Sequence, residues 1–458
     1  MIGFLGMLDI GTYQKRPLLI TSLPLGLLVL TRPDGILFAL IFVLAFLLIR
    51  WRWNSDWSMS GAMLLISIPL LLLIGQMLFR ALYYQDWLPN PARIKLALTG
   101  QRIHDGIRYM LDGAISQLFI WIPAAIALVA LFVKTRARPH AVLLQMLLGG
   151  WGSYVVFIGG DFFPAFRHFV PLIVVAITMI VEAVRVYVPE LNARGRRTSL
   201  FVSVSFALIA LPGFYLVQRV HPNYLEGLTE RWEWDGEVLG LLLKDAYTNK
   251  QPIIAVTAAG CIPYWSELPV IDMLGLNDRY IARHLPSTFG RGWVGHDAGD
   301  GDYVLSLRPD IIIFSAGYPQ PQFHYKDDFH EGSPFHKLYS AVWFSGNVPY
   351  RDTARVWLRR DSPLIGMKLV KGVLAIPGEY FASRRQNPAQ LNYKGHMMTI
   401  LHPGDTLSCE LPVTFPENAQ IEVLGRKVGP ILFEVRGKTL FLLSETGVAE
   451  VEEVHVFE

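Results

Sequence analysis

Long apolar runs and short polar segments alternate through the first half of the chain, whereas the second half mixes short apolar stretches with polar residues, glycines and prolines. An uncharged run of about 20 residues is long enough to cross a bilayer as a helix. The pattern therefore predicts a multi-span α-helical membrane domain over residues 1–220, with about seven spans and with five or six as the alternatives. The predicted spans are 17–31, 36–49, 61–79, 115–133, 141–160, 169–187 and 199–218.

The second half has the pattern of a soluble protein. Strand, helix and strand follow one another within residues 221–360, which predicts a soluble α/β domain with parallel strand pairing. Residues 361–458 hold short apolar stretches parted by Gly, Pro and Asn, which predict a β-sandwich-like C-terminal region. The predicted strands are 253–256, 269–273, 311–314, 367–374, 397–401, 420–424, 431–435 and 439–443, and a helix is predicted over 302–307.

Composition agrees with a membrane protein, because 52% of the residues are hydrophobic and only 17% are charged. The net charge is +3, and no basic tract predicts binding to nucleic acid. Under the seven-span count, clusters of Lys and Arg fall on one side, which is then predicted to be cytoplasmic. The Arg32 turn, residues 80–114, the Asp161 turn and everything after His221 are predicted to face outward, although residues 80–114 also carry five basic residues that weaken the bias. The basic residues of the predicted cytoplasmic side are Lys15, Arg16, Arg50, Arg52, Lys134, Arg136, Arg138, Arg194, Arg196 and Arg197.

Two charged residues stand between two predicted spans, in the segment GGDFFPAFRHFVP (159–171). Asp161 and Arg167 are costly at the end of a membrane span unless they bind something, so they are candidates for a functional site. The two preceding glycines allow the backbone to pass close to a ligand or to a neighbouring helix. The alternative is an ion pair between Asp161 and Arg167 that only closes the turn.

Three further stretches carry candidate residues. In the segment 83–95, Tyr84, Asp86 and Asn90 suit a sugar, while Arg93 and Lys95 suit a phosphate; the alternative is that the aromatic residues are ordinary interfacial anchors. The turn 32–35 places Asp34 between two apolar runs, or is simply a polar turn. A helix over 100–118 has apolar residues at helical spacing and is expected to lie in the membrane interface as a support.

Other common chemistry has no signature in the sequence. It contains no Walker loop, HExxH, paired CxxC or GxSxG motif, and no cofactor or metal site is predicted. The glycine-rich run 290–302 is interpreted as a surface loop, and His296 receives no metal role. Cys261 and Cys409 both lie in the predicted external half, where they could form a disulfide or remain two unpaired thiols.

Five motifs, taken in order along the chain, resemble the membrane glycosyltransferases of the GT-C class. The resemblance extends over residues 15–360 and is greatest to the terminal β-(1→2)-arabinofuranosyltransferase and the flagellar motor control protein ZomB-like family. The motifs are LTRPDG (30–35), YYQDWLPNPARIK (83–95), GGDFFPAFRHFVP (159–171), VIDMLGLNDRYIARH (270–284) and GDGDYVLSLRPDIIIF (299–314).

The resemblance implies a transferase that moves a sugar, with a pentofuranose suggested, from a polyprenyl-phosphate donor to a cell-envelope glycan. The location it implies is a bacterial inner membrane, with the soluble part outside the cytoplasm. Arg93, Lys95 and Arg167 become candidates for the donor phosphate. Candidates for the sugar or the acceptor are Asp34, Tyr84, Asp86, Asn90 and Asp161.

One departure from the class affects the expected activity. Its members carry the catalytic aspartate in a first external loop, and this chain has no such loop before the turn at 32–35. The favoured interpretation is a C-terminal fragment of a longer enzyme, whose general base lies outside this chain. There are two alternatives: the loop belongs to a separate polypeptide, or the protein has lost its activity. The rival function is a non-catalytic envelope scaffold or flagellar-motor-associated factor.

Overall fold

The computed structural model describes residues 15–32, 34–53, 59–188, 193–292, 294–315, 333–348, 351–382, 387–392 and 394–457. The chain divides into two compact units, Met1–Leu228 and Thr229–Glu458. The sequence pattern places the end of the membrane domain at residue 220, a short distance before this division.

The described part of the first unit consists of α-helices and their connections. Apolar runs that lie in lipid can satisfy their backbone hydrogen bonds only within such helices, which is why these segments are helical rather than irregular. The helices are α1 (Lys15–Thr31), α2 (Gly35–Trp53), α3 (Met59–Tyr83), α4 (Asn90–Arg93), α5 (Gly100–Ser116), α6 (Leu118–Val133), α7 (Arg138–Ile158), α8 (Phe169–Tyr187) and α9 (Ala193–Val220), and α10 (Pro222–Thr229) contains the boundary between the units.

Four helices among the described residues are long and apolar enough to cross a membrane: α2, α3, α7 and α8. Helices α5 and α6 would add a fifth span if the pair, bent by 93°, is one broken span. The apolar parts of α1 and α9, Leu18–Thr31 and Ala207–Val220, are shorter. Each of the seven predicted runs overlaps a helix. Among the described residues, however, only four helices, or five spans if the bent pair is counted as one, are long and apolar enough to cross a membrane, which is closer to the alternative of five spans than to seven.

Two predicted span boundaries are wrong for local reasons. The predicted span 115–133 crosses Gln117, where the chain turns sharply between α5 and α6. The predicted span 141–160 continues past Ile158, although Gly159 and Gly160 take left-handed backbone conformations that end α7. The helix predicted over 100–118 is present as α5, and the Thr99 side chain accepts a hydrogen bond from the Arg102 N–H at its start.

The core of the first unit is built mainly by α2, α7 and α8, with further buried residues from α1, α3 and α6. Phe42 and Phe46 of α2 are buried together with Leu144 and Leu147 of α7 and Met179 of α8. Helices α7 and α8 run in opposite directions, so the turn 159–168 lies at one end of this hairpin and the start of α7 at the other.

The second unit begins with a five-stranded sheet of order β2-β1-β3-β5-β4. Strands β1, β2 and β3 pair in parallel, which confirms the predicted pairing. The antiparallel hairpin β4–β5 is absent from the sequence-based prediction. The elements are α11 (Trp232–Tyr247), β1 (Ile254–Val256), α12 (Cys261–Ser266), β2 (Val270–Asp272), α13 (Gly301–Ser306), β3 (Ile311–Ile313), α14 (Pro334–Leu338), β4 (Tyr339–Val348) and β5 (Arg351–Arg359).

The C-terminal part of the second unit is β-rich, as predicted, and its described strands form three small antiparallel sheets. Their orders are β10-β14-β13, β11-β16-β7-β6 and β12-β15-β9-β8. The single strand predicted over 367–374 is wrong, because Lys371 and Gly372 take left-handed conformations and make a hairpin. The strands are β6 (Lys368–Val370), β7 (Val373–Pro377), β8 (Gln390–Leu391), β9 (Met397–Leu401), β10 (Thr406–Glu410), β11 (Gln420–Leu424), β12 (Lys427–Val428), β13 (Ile431–Arg436), β14 (Thr439–Ser444), β15 (Val448–Val451) and β16 (Glu453–Phe457).

The two cysteines do not form a disulfide. Cys409 is buried in the β-rich part, and burial raises the pKa of its thiol to about 12. Of the two possibilities that the sequence leaves open, the structure therefore supports two separate thiols.

Candidate functional site

The turn between α7 and α8 has an unusual backbone. Gly159 and Gly160 have φ angles of 87° and 79°, and Ala165 and Phe166 also have positive φ angles, of 67° and 48°. Residues other than glycine adopt this region at a cost, so the surrounding contacts must hold the turn in place. A Cβ atom at Gly160 would lie 2.7 Å from the Cβ of Tyr109 on α5, which confirms that the glycine permits a close approach.

Asp161 and Arg167 form an ion pair across this turn. The Arg167 Nη2 donates to Asp161 Oδ1 over 2.9 Å, and Nε donates to Oδ2. The Asp161 side chain is only 6% exposed, whereas that of Arg167 is 50% exposed and lies 4.4 Å from the ring centre of Phe163. A bidentate pair of this kind fixes the plane of the guanidinium and leaves one of its faces accessible.

His168 attaches the same turn to two helices. Its backbone N–H donates to the Tyr109 hydroxyl over 3.3 Å, and its carbonyl accepts from Trp151 Nε1 over 2.8 Å. Its ring Nε2 lies 3.9 Å from Asp161 Oδ2. Burial lowers the pKa of His168, although the charge of Asp161 acts in the opposite direction.

Asp34 belongs to the turn between α1 and α2 and contacts α7. It accepts hydrogen bonds from Arg32 Nε and Nη2 over 3.0 and 2.8 Å, and one from the Tyr154 hydroxyl over 3.2 Å. The hydrogen bond with Asp34 raises the pKa of Arg32, and the charge of Asp161 adds to this effect. The Asp34 turn therefore lies within electrostatic range of the Asp161 turn.

Lys95 lies within electrostatic range of Arg32, Asp161 and Arg167. Burial has the largest effect on Lys95 and lowers its pKa. The positive charge of Arg167 lowers this pKa further, whereas the negative charge of Asp161 raises it. The structure thus brings Asp34, Lys95, Asp161 and Arg167 together at one end of the helices. We refer to these four residues with Arg32, Tyr154 and His168 as the charged cluster.

The other predicted site residues form a second group in the segment 84–93. Arg93 Nη2 donates to Asp86 Oδ1 over 2.8 Å, so these two residues pair with each other. Tyr84 is exposed and contacts the ring of Tyr83 edge-on, at 4.7 Å between centres. Asn90 begins the short helix α4, and its carbonyl accepts from the Ile94 N–H.

Sequence reasoning missed three members of the charged cluster. Arg32 and His168 are next or nearly next to predicted residues, and their proximity to Asp34 and Arg167 is the signal that could have identified them. Tyr154 lies in the middle of a predicted span, where a tyrosine is a common core residue. Tyr154 can be assigned to the charged cluster only from the packing of α7 against the α1–α2 turn, which brings its hydroxyl to Asp34.

A separate buried ion cluster lies at the opposite end of the α7–α8 hairpin. Glu182 accepts from Arg185 Nη2 and Nε over 2.6 and 2.9 Å and is also hydrogen-bonded to His140 Nδ1. Nearby, Arg136 Nη2 donates to the Val186 carbonyl over 3.3 Å. Arg136 and the basic residues next to it, which are predicted to be cytoplasmic, therefore lie at one end of the hairpin. The charged cluster lies at the other end.

The charged cluster offers three cations, two carboxylates, a phenol and an imidazole. Such a set can hold an anionic group between the cations. The carboxylates can accept hydrogen bonds from ligand hydroxyls, and the phenol can donate or accept one. Within the described ranges, no group of three or more His, Cys, Asp or Glu residues is arranged to hold a metal ion.

Comparison with known proteins gives one family match. Residues 226–358 match a family described as a domain of unknown function, DUF8728. This region contains α11 and nearly all of the five-stranded sheet, and the family description names no activity. No curated protein and no solved structure matches the chain.

Proposed function

We propose that this protein, or a longer protein of which it is the C-terminal part, is a membrane glycosyltransferase of the GT-C type. It would transfer a sugar, for which a pentofuranose is our candidate, from a polyprenyl-phosphate donor to a cell-envelope glycan. The proposed location is a bacterial inner membrane, with the second unit outside the cytoplasm. The observation that carries the proposal is the charged cluster at one end of a set of apolar helices.

The position of the charged cluster suits a lipid phosphate. A polyprenyl chain dissolves in the hydrocarbon core, so its phosphate must lie at the end of the membrane-spanning helices. Arg32, Lys95 and Arg167 are contributed by three separate loops at such an end. Burial of the Lys95 ammonium strengthens its attraction to an anion, because water screens it less.

We assign Arg167 and Lys95 to the donor phosphate. Asp161 would orient Arg167, whose side chain is half exposed and therefore accessible to phosphate oxygens. Asp34 and Tyr154 would contact sugar hydroxyls. In the neighbouring segment, Arg93 would contribute to phosphate binding, and Tyr84, Asp86 and Asn90 to sugar or acceptor binding.

In the proposed reaction an acceptor hydroxyl oxygen forms a bond to the anomeric carbon of the donor sugar. The bond from that carbon to the phosphate oxygen breaks, and the bond electrons leave with the polyprenyl phosphate. The hydroxyl proton passes to a general base. We assign this role to none of the residues above, because Asp34, Asp86 and Asp161 already accept hydrogen bonds from arginines.

The proposal is tested by measuring donor binding and transfer with the chain in nanodiscs. Decaprenyl phosphate should bind, and Arg167→Ala and Lys95→Ala should each weaken binding at least tenfold. Arg108→Ala is the matched control, because Arg108 is an exposed arginine on α5 outside the charged cluster. Equal binding by the Arg167→Ala and Arg108→Ala variants would contradict the site assignment.

A transfer assay separates the enzyme from the rival function. With a polyprenyl-phosphate pentofuranose and an envelope glycan, the protein that contains the whole active site should form a new glycosidic bond. Binding of decaprenyl phosphate without transfer by that protein would instead favour a non-catalytic envelope scaffold.

A further inference from the structure

The second unit contains a cavity of about 340 Å³ that lies apart from the residues considered so far. Its wall includes the end of α11, strands β6, β7 and β9, and the start of β16. This volume is near the lower end of the range for small-molecule sites, which is about 300–1,000 Å³. The cavity is therefore large enough for a small ligand, and its polar side chains indicate which kind.

A buried carboxyl group forms part of the cavity wall. Glu379 is 4% exposed, and its Oε1 accepts a hydrogen bond from the buried Tyr247 hydroxyl over 3.1 Å. A second hydrogen bond fixes the backbone next to Glu379, because the Gly378 carbonyl accepts from the Thr399 hydroxyl over 2.8 Å. Burial raises the pKa of Glu379 to about 7, so this carboxyl can act as a donor or as an acceptor near neutral pH.

Two lysines line the same cavity. Within the described part of the chain, neither the Lys250 nor the Lys368 ammonium has a carboxylate within ion-pair distance, and both side chains are exposed. Two carboxylates are held in place close by. Glu452 accepts from Asn392 Nδ2 over 2.8 Å, and Glu453 lies 2.9 Å from a ring nitrogen of His455.

The lining sets the two lysine ammonium groups against the carboxylates of Glu452 and Glu453, and it also contains His396, whose Nδ1 lies 4.0 Å from Glu452 Oε2. A cationic or anionic ligand would meet repulsion as well as attraction in such a site. A neutral hydroxyl compound avoids this, because each hydroxyl can accept from a lysine and donate to a glutamate. We propose that this cavity binds one or two neutral sugar residues through Glu379, Lys250 and Lys368.

This inference does not depend on the transferase proposal. The charged cluster lies in the first unit, whereas all of the cavity residues lie in the second. A failure of donor binding would leave the cavity assignment intact, and the reverse also holds.

The test uses the full chain in a sugar-free zwitterionic detergent, since maltoside detergents would compete for the site. Saturation-transfer NMR is recorded with methyl α-D-arabinofuranoside, methyl β-D-glucopyranoside and maltose. Glucuronate and glucosamine serve as the charged comparison ligands. We expect at least one neutral compound to bind, with an affinity greater than that of either charged ligand.

Variants then locate the binding site. Lys368→Met and Glu379→Gln should each weaken binding of the neutral sugar about tenfold, as expected for loss of a hydrogen bond to a charged group. Lys427→Met and Glu434→Gln are the matched controls, because both residues are exposed and lie outside the cavity. The proposal is overturned if no neutral sugar binds, if a charged ligand binds more tightly, or if the cavity variants behave like the controls.

Discussion

Arg167 donates from Nη2 to Oδ1 of Asp161 over 2.9 Å, yet the two partners differ greatly in exposure, at 50% and 6%. The carboxylate is buried within the turn, whereas the arginine side chain remains half exposed to solvent. An ion pair that only closed the turn would not require the accessible face of the arginine. This asymmetry supports a role for Arg167 in binding an anion, with Asp161 as its positioning residue.

The first prediction concerns this pair. In a protein that contains the whole active site, Asp161→Asn and Arg167→Ala should both abolish transfer while membrane insertion stays intact. For donor binding, Arg167→Ala should have the larger effect, because it removes the positive charge itself. Arg167→Lys should bind more donor than Arg167→Ala, since it keeps the charge but not the bidentate geometry. Transfer at normal rates in both Asp161→Asn and Arg167→Ala would show that the site lies elsewhere.

The second prediction concerns the backbone of the turn. Gly160→Ala places a Cβ 2.7 Å from the Tyr109 side chain at a φ of 79°, so it should lower the free energy of unfolding of the first unit by roughly 1–3 kcal/mol. Thermal unfolding in detergent measures this change. Gly149→Ala is the control, because a Cβ there meets no atom within 4 Å and the residue lies inside α7. If both variants unfold at the same temperature, the close approach does not stabilise the turn.

The sequence was sufficient to locate the Asp161 turn and insufficient to complete the site around it. Charges that interrupt long apolar runs are visible as a local pattern, which is why Asp34, Asp161 and Arg167 could be proposed. Tyr154 contacts Asp34 across 120 residues of sequence, and that contact depends on how the helices pack. No local pattern encodes such packing.

A similar limit applies to the strands. The stretch 367–374 reads as one strand because apolar residues occur on both sides of Lys371-Gly372. The left-handed conformations of these two residues reverse the chain and create the hairpin β6–β7. The parallel strands β1 and β3 were easier to predict, because each is a short buried apolar run with turn residues close by. Strand β2 has a weaker pattern, since Val270 is exposed and the strand ends at Asp272.

The third prediction concerns the ion cluster at the other end of the hairpin. Glu182 connects α8 to α7 through His140 and is also paired with Arg185. Glu182→Gln removes the buried carboxylate that His140 and Arg185 contact. Because Arg185 is half exposed, the variant should destabilise the first unit by about 1.5–3 kcal/mol, the range for hydrogen bonds to a charged group. Thermal unfolding measures the loss, with Asp112→Asn as an exposed control. Donor binding by the folded variant should be unchanged, because the charged cluster lies at the opposite end of the helices.

The last prediction concerns the pH dependence of the second unit. The pKa of Glu379 is raised by burial from its ordinary value of 4.5 to about 7, while Tyr247 and Lys250 act in the opposite direction and Glu453 adds to the rise. The folded state therefore binds the proton more tightly than the unfolded state. The stabilising contribution of that proton is complete below about pH 4.5 and is lost as the pH rises through 7.

Glu379→Gln removes this titration and keeps the shape of the side chain. The variant should be more stable than the parent at pH 8, by an amount on the order of 3 kcal/mol, and should gain little at pH 4.5. Chemical unfolding of the full chain, followed by a signal from the second unit at both pH values, measures the difference. Glu434→Gln serves as the control, because Glu434 is fully exposed beside Arg436. The same pH dependence in Glu379→Gln and in the parent would mean that folding does not change the pKa of Glu379, which would contradict the prediction.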